Sequence, residues 1–303
     1  MRLSLAGKRG AREKAAMRLE PTSRRFVSQR LKLHYADWGN SAAPPLVLLH
    51  GGRDHCRSLD WAARELARDY HVIAPDLRGH GDSDWSPDGE YPMHGFVYDL
   101  AQLIHQLNLA PATIVAHSLG GNIAIRYAGL YPENVKKLVA IEGLGPSPKL
   151  IAEWEKTPLA DRMRAWIENK RAASARAPRR YKSLEDALAR MKEANKFLSD
   201  EQARHLTEHG ANCNEDGSWS WKFDPYVNIW PWLDIPQDER KNSGRRSLAR
   251  RFWSMARTAG RLTRKRTDAS GIFRPRASYR SRRRVIGCIM TSSRSSCARR
   301  EIF

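Results

Sequence analysis

No histidine follows His209 in this chain of 303 residues, so any imidazole base must come from the residues up to 209. No run of eighteen or more apolar residues occurs, so no membrane-spanning helix is expected. The four cysteines, Cys56, Cys213, Cys288 and Cys297, stand at unrelated spacings. They suggest neither a disulfide framework nor a zinc site; unpaired thiols in a reducing, cytoplasmic compartment are the expectation. The opening stretch MRLSLAGKRGAREKAA lacks the apolar core of a secretory signal. It is basic and poor in acids, like a transit arm, and Met17, which begins MRLEPTSRRFVS, suits a misplaced start codon as well.

What the chain has in excess is positive charge, a formal +20. Residues 242–303 carry 18 Lys and Arg against 2 Asp and Glu, and residues 1–30 carry 9 against 2. The chain between them is mildly acidic. A nucleic-acid-binding fold builds its basic face into the folded body, so nucleic-acid binding is not expected of this one. Hydrophobic residues make up 41% of the sequence, with 10 Trp, enough apolar matter for one large domain.

From residue 31 the pattern alternates. LKLHYADWGN has the period of a strand and ends in a turn. PPLVLLHGG, HVIAPDL, TIVAH and KKLVAIEG are short apolar runs, as expected of strands covered on both faces of a parallel sheet. Between them, SLDWAARELARDY (with Ser58 as its N-cap), HGFVYDLAQLIHQLNL and SLGGNIAIRYAGLYP have helical spacing. Strand and helix alternate in βαβ fashion, which predicts an α/β architecture with a mostly parallel sheet covered by helices.

Three motifs stand at the ends of these strands: HGG at 50–52, DLRGHGDSD at 76–84 and AHSLGG at 116–121. In this order they resemble the α/β-hydrolase fold family, in which the third motif is the nucleophile elbow, G-x-S-x-G. Ala116 replaces the first glycine and is small enough for the strained turn. The resemblance implies that Ser118 is the nucleophile, lifted clear of the sheet at the N-terminus of a helix. The N–H of Leu119 is then the first oxyanion donor, and Gly52 or Arg53 supplies the second. Gly120 and Gly121 are expected to let the helix pack close to its strand. A serine at a helix start is more often a cap than a nucleophile, but the flanking apolar strand and glycines favour the nucleophile here. By the same resemblance, His50 and His80 organise loops rather than act as bases, and His117 points away from the site. Serine in place of aspartate implies attack on a carbonyl (ester, lactone, thioester or C–C bond) rather than on an alkyl halide or epoxide. No metal or organic cofactor is needed.

Residues 147–240 have a different texture. PKLIAEWEKTPLADRMRAWIENK, SLEDALARMKEANKFL and SDEQARHLTEHG are amphipathic helical stretches, and DGSWSWKFDPYVN reads as a return toward the core. They resemble the helical cap that many members of the family place over a small, largely apolar substrate. Some of the tryptophans in WSWKFDPYVNIWPW would line that pocket. Glu142, just after KKLVAIEG, is an alternative acid.

The family should then supply two further strands, an acid and the catalytic histidine. Residues 241–303 instead form an Arg- and Ser-rich tail with no strand–helix alternation. It is expected to be disordered, as is the arm 1–30, leaving the core at 31–146 and the cap at 147–240. Two accounts compete: a basic disordered arm, or a frameshifted copy of the missing strands. If the original codons began at the third base of each present codon, the Met255–Ala256 junction must encode glycine and the Met290–Thr291 junction aspartate. The remaining junctions permit a CPTLLVYG strand followed by acids, and a GHW loop followed by a helix. The frameshift, beginning near Lys241, is the favoured account. His205 and His209 are the remaining candidates for a recruited base. The chain as written is expected to turn over poorly, and the oligomeric state is left open.

Overall fold

The computed structural model describes residues 19–145, 147–174 and 178–229. Six strands form one sheet: β1 (Thr22–Ser28), β2 (Leu31–Asp37), β3 (Pro45–Leu49), β4 (His71–Pro75), β5 (Ala112–His117) and β6 (Val135–Ile141). Their order across the sheet is β1-β2-β4-β3-β5-β6. β1 and β2 pair antiparallel and β2 runs antiparallel to β4, whereas β4, β3, β5 and β6 are mutually parallel.

Parallel neighbours need crossovers, and the helices that make them cover both faces. Helices α2 (Met93–Gln106) and α3 (Leu119–Leu130) pack with Val47, Leu49, Ile73 and Ile114 on one face. On the other, α1 (Asp60–Leu66) and the 3-10 turn before it, Cys56–Leu59, pack with Leu46, Leu48, Val72 and Ala74. Alternate residues of the central strands thus bury on opposite faces, which is why β3 and β4 read as unbroken apolar runs.

Two local expectations are corrected. Ser58 does not cap α1: it lies inside the 3-10 turn and its Oγ donates to Asp54 Oδ2 at 2.8 Å, while Leu59 occupies the capping position. The arm expected over 1–30 is shorter, because Thr22–Ser28 is a strand paired residue for residue with β2. Only Phe26 and Ser28 of β1 are buried, so its sequence carries little apolar signal. Its far end is held by the Ser28 hydroxyl, which donates to Asp99 Oδ1 at 2.6 Å. Asp99 in turn takes two charge-assisted bonds from Arg78, at 2.6 and 2.7 Å.

After β6 come α4 (Pro148–Glu155), α5 (Leu159–Ser174), α6 (Leu184–Ala194) and α7 (Asp200–Gly210), then a short hairpin, β7 (Ala211–Cys213) with β8 (Trp219–Trp221). Ser147, Ser183 and Ser199 cap α4, α6 and α7 by accepting backbone N–H bonds, and Ser199 does so in a full capping box. The chain then returns to the core. Asp224 N–H donates to Gly79 O at 2.9 Å, Trp85 Nε1 to Lys222 O at 3.1 Å, and the buried Tyr91 hydroxyl to Asp224 Oδ2 at 2.5 Å. Burial and the neighbouring Asp224 push the Tyr91 phenol far above its ordinary range, so it stays a donor. No helix of the described residues is long and apolar enough to cross a membrane. The segment 1–18, the residues from 230 on and the tryptophans Trp230 and Trp232 lie outside the described residues, and with them the expected tail.

Candidate active site

Ser118 joins β5 to α3 with φ 49° and ψ −113°, a conformation that costs a non-glycine residue about 1–3 kcal/mol. The surroundings impose it. Ser118 N–H donates to Ile141 O at 2.9 Å, Gly120 N–H to His50 O at 3.2 Å, and the Ser118 carbonyl accepts from Asn122 N–H at 3.1 Å. The start of α3 is thereby wedged between the loop after β3 and the loop after β6.

The two glycines make that wedge possible, though not by packing against their own strand. A Cβ on Gly120 would lie 2.6 Å from His50 O, and one on Gly121 would lie 2.5 Å from the Gly143 Cα. Gly121→Val should therefore displace α3 from Gly143 and cost about 1–3 kcal/mol, read as a lower midpoint in urea. An unchanged midpoint would mean that the close approach is not needed.

The Ser118 side chain is exposed and makes no hydrogen bond to the N–H groups of its own helix. The bland role of a cap is therefore excluded. Two further non-glycine residues with left-handed backbone flank it: Arg53, φ 61°, in the loop after β3, and Glu142, φ 57°, directly after β6. Leu119 touches the first loop: the Cβ position of Gly52 lies 3.8 Å from Leu119 Cδ2. Glu142 follows Ile141, which is in register with His117, so it neighbours Ser118 across the strand pair. Three strained residues thus collect at the carboxyl ends of three adjacent parallel strands, where open α/β sheets place their ligand crevices. Gly52 thus lies against Leu119, Arg53 follows it in the same loop, and Glu142 sits beside Ser118 at the end of β6.

The supporting loops are built on buried polar groups. His50 Nδ1–H donates to Gly51 O at 2.6 Å and its Nε2 accepts from Leu77 N–H at 3.0 Å. It thereby ties the loop after β3 to the end of β4 as a neutral ring, and burial lowers its pKa. His80 donates through Nδ1 to Arg78 O at 2.9 Å, and burial with His50 nearby pushes it down to about 4. Both are occupied in loops. His117 is turned toward Gly51, whose Cβ position lies 3.0 Å from its Nδ1.

Asp76 is the hub that sequence reading passed over. Its carboxylate accepts from His34 Nδ1 at 2.7 Å, from Cys56 N–H at 2.6 Å and from Asp82 N–H at 2.9 Å. Burial opposes its ionisation, but the His34 hydrogen bond, the electrostatic interaction with the His50 and His34 rings and the Asp82 N–H bond outweigh it and hold Asp76 well below the carboxylate range. Gly81, at φ +53°, leaves no room for a Cβ against that carboxylate. The glycine-rich stretch DLRGHGDSD marks the loop in the sequence, but not the distant partners that Asp76 finds in it.

The sequence matches the family described as "alpha/beta hydrolase fold" over residues 44–231, more than half of the chain. The chain belongs to the α/β-hydrolase fold family. It is 32% identical over 197 residues to a "Serine hydrolase-like protein" of Danio rerio, covering 63% of this chain and 58% of that one. It is also 32% identical over 131 residues to "Epoxide hydrolase 4" of Mus musculus, covering 43% and 36% of the two chains. Among solved structures it resembles a hypothetical protein from Pseudomonas aeruginosa PAO1, with TM-score 0.63 and 24% identity over 74% of this chain and 77% of that one. The matched stretches span about a third to rather more than half of these curated relatives.

Within this α/β-hydrolase, no histidine of the described residues bonds the Ser118 hydroxyl. His205 is held elsewhere: its Nε2–H lies 3.0 Å from Arg57 O and 3.2 Å from Asp60 Oδ2, and its ring meets Trp61 edge to face. His209 meets His205 edge to face, with ring centroids 4.5 Å apart. Burial, Arg57 and His205 push the pKa of His209 down to about 4.

Proposed function

We propose that the protein is a serine hydrolase that cleaves a carbonyl substrate (an ester, lactone, thioester or C–C bond) through an acyl-enzyme on Ser118. The observation that carries this reading is the strained, uncapped and exposed serine between two other strained strand ends. Nothing in helix capping requires φ 49° at this position, whereas a hydroxyl offered to a substrate does.

In this reading Ser118 Oγ attacks the carbonyl carbon as a base removes its proton. The carbonyl oxygen becomes an oxyanion held by Leu119 N–H at the positive end of α3 and by the N–H of Gly52 or Arg53. The leaving group takes a proton as the tetrahedral intermediate collapses, and water then hydrolyses the acyl-enzyme. Glu142 is the alternative acid, and no metal or cofactor is required. The helices 148–210 and the hairpin after them serve as a cap over a small, largely apolar substrate. The free thiols Cys56 and Cys213 agree with a cytoplasmic setting.

The base is the missing part, and we assign it to the frame that residues 241–303 no longer express. The protein as translated is then a slow hydrolase. The test is labelling with a fluorophosphonate. A full-frame version should be modified at Ser118, and Ser118→Ala should abolish the label. Labelling that survives Ser118→Ala would remove the nucleophile from this reading. The second reading, a non-catalytic protein whose basic tail binds nucleic acid or acidic surfaces, predicts binding that falls steeply with salt and disappears when 242–303 are deleted.

A further inference from the structure

We infer that Asp60, His205 and His209 form a site for a divalent transition-metal ion of the zinc class, at the junction between the helical segment and the core. His205 and His209 stand four residues apart on α7 and so present their rings on one face of the helix. The carboxylate they meet comes from α1, 145 residues away in sequence, and is fully buried. The ligand atoms of the three side chains lie within 4.8 Å of one another.

The geometry suits a metal. Bonds of about 2.0–2.2 Å place the ligand atoms of a four-coordinate ion about 3.4 Å apart. His205 Nε2 and Asp60 Oδ2 already stand 3.2 Å apart. The His209 ligand atom lies within 4.8 Å of both. The Arg57 carbonyl, 3.0 Å from His205 Nε2, offers a fourth ligand atom, giving a donor set of two imidazoles and two oxygens. Imidazole favours zinc, copper and nickel over magnesium or calcium.

The electrostatics do not oppose it. Arg57 binds both carboxylate oxygens of Asp60, at 3.0 and 2.8 Å, which would repel a cation if nothing balanced it. Glu20 provides that balance, accepting from Arg57 and from Arg64 at 2.7 Å each. Two arginines and two carboxylates leave the pocket near neutral. Burial opposes ionisation of Asp60, but its bonds to His205 and Arg57 outweigh that and keep its pKa lowered, so the ligand is ionised. The helix is also held beforehand: His55 Nε2 lies 3.1 Å from Leu206 O, between the two histidines. Bound there, the ion would clamp α7 to α1.

The test uses the full chain with Cys213, Cys288 and Cys297 replaced by serine, stripped with a chelator and titrated with zinc chloride by calorimetry. One ion should bind per chain and raise the thermal midpoint. His205→Gln and His209→Gln should each weaken binding by about tenfold or more and reduce the zinc-dependent rise in the midpoint. Asp60→Asn is not decisive, because it also disturbs the Arg57 pair. Binding that is as tight in both histidine variants as in the parent, or no binding by the parent at micromolar zinc, would overturn the proposal. Neither readout depends on Ser118 or on turnover.

Discussion

A gene rewritten from codon 241 into the frame that ends in the CPTLLVYG strand and the GHW loop should yield a chain that hydrolyses a p-nitrophenyl ester on the order of 10⁴-fold faster than the present one. The magnitude follows from how a triad works. The oxyanion hole and the binding site survive loss of the base, but Ser118 then attacks as a neutral alcohol, and most of the rate enhancement goes with the imidazole. In the rewritten chain, Ser118→Ala should return the rate to background, which separates the site from contaminating esterase. The two strands should also bring stability. Among the described residues β6 is an edge strand, with Val139 48% exposed on a strand whose parallel neighbours are buried. Equal rates from the two chains would show that the base does not lie in the alternative frame.

Replacing Asp76 by alanine should have the largest effect on stability of any single change in the core, about 3–5 kcal/mol. The substitution removes no apolar packing. It strands the buried Cys56 N–H, the Asp82 N–H and the buried His34 Nδ1, each of which spends its hydrogen bond on this carboxylate. Chemical denaturation should show the loss, and Asp76→Asn, which keeps an acceptor oxygen, should recover part of it. A loss below about 1 kcal/mol for the alanine variant would mean that the hub relaxes and the loops are held by other contacts.

The same buried groups set an acid limit. Asp76 is held below its unfolded value of 3.8, so its contribution is present above that pH and is lost as pH falls through 3.8 and below. His80 and His209, pushed down from 6.5 to about 4, take up protons more readily when unfolded. Their contribution is complete above about 6.5 and declines as pH falls toward 4. Stability should therefore decrease from about pH 6.5 downward and steepen near pH 4, as thermal unfolding across that range would report. His80→Asn should flatten the upper part of the decline.

Much of this was legible in the chain. Short apolar runs, helical spacing between them and motifs at the strand ends are local patterns, and a parallel sheet needs both of its faces covered, so the pattern dictates the architecture. The turn at Ser118 was legible because a serine at the end of an apolar strand, with glycines two and three residues further on, fits the elbow motif and the close helix approach it needs. β1 was not, because TSRRFVS buries one face at one end and owes its form to its pairing with β2. Neither was the hub at Asp76, nor the meeting of Asp60 with His205, since both join residues whose separation in sequence carries no period. The sequence by itself determined the order of strands and helices and the residue at the elbow. The tertiary structure alone decided which polar side chains meet when distant segments bury each other. A buried charge must find its partner wherever the packing brings one, and no local pattern records that choice.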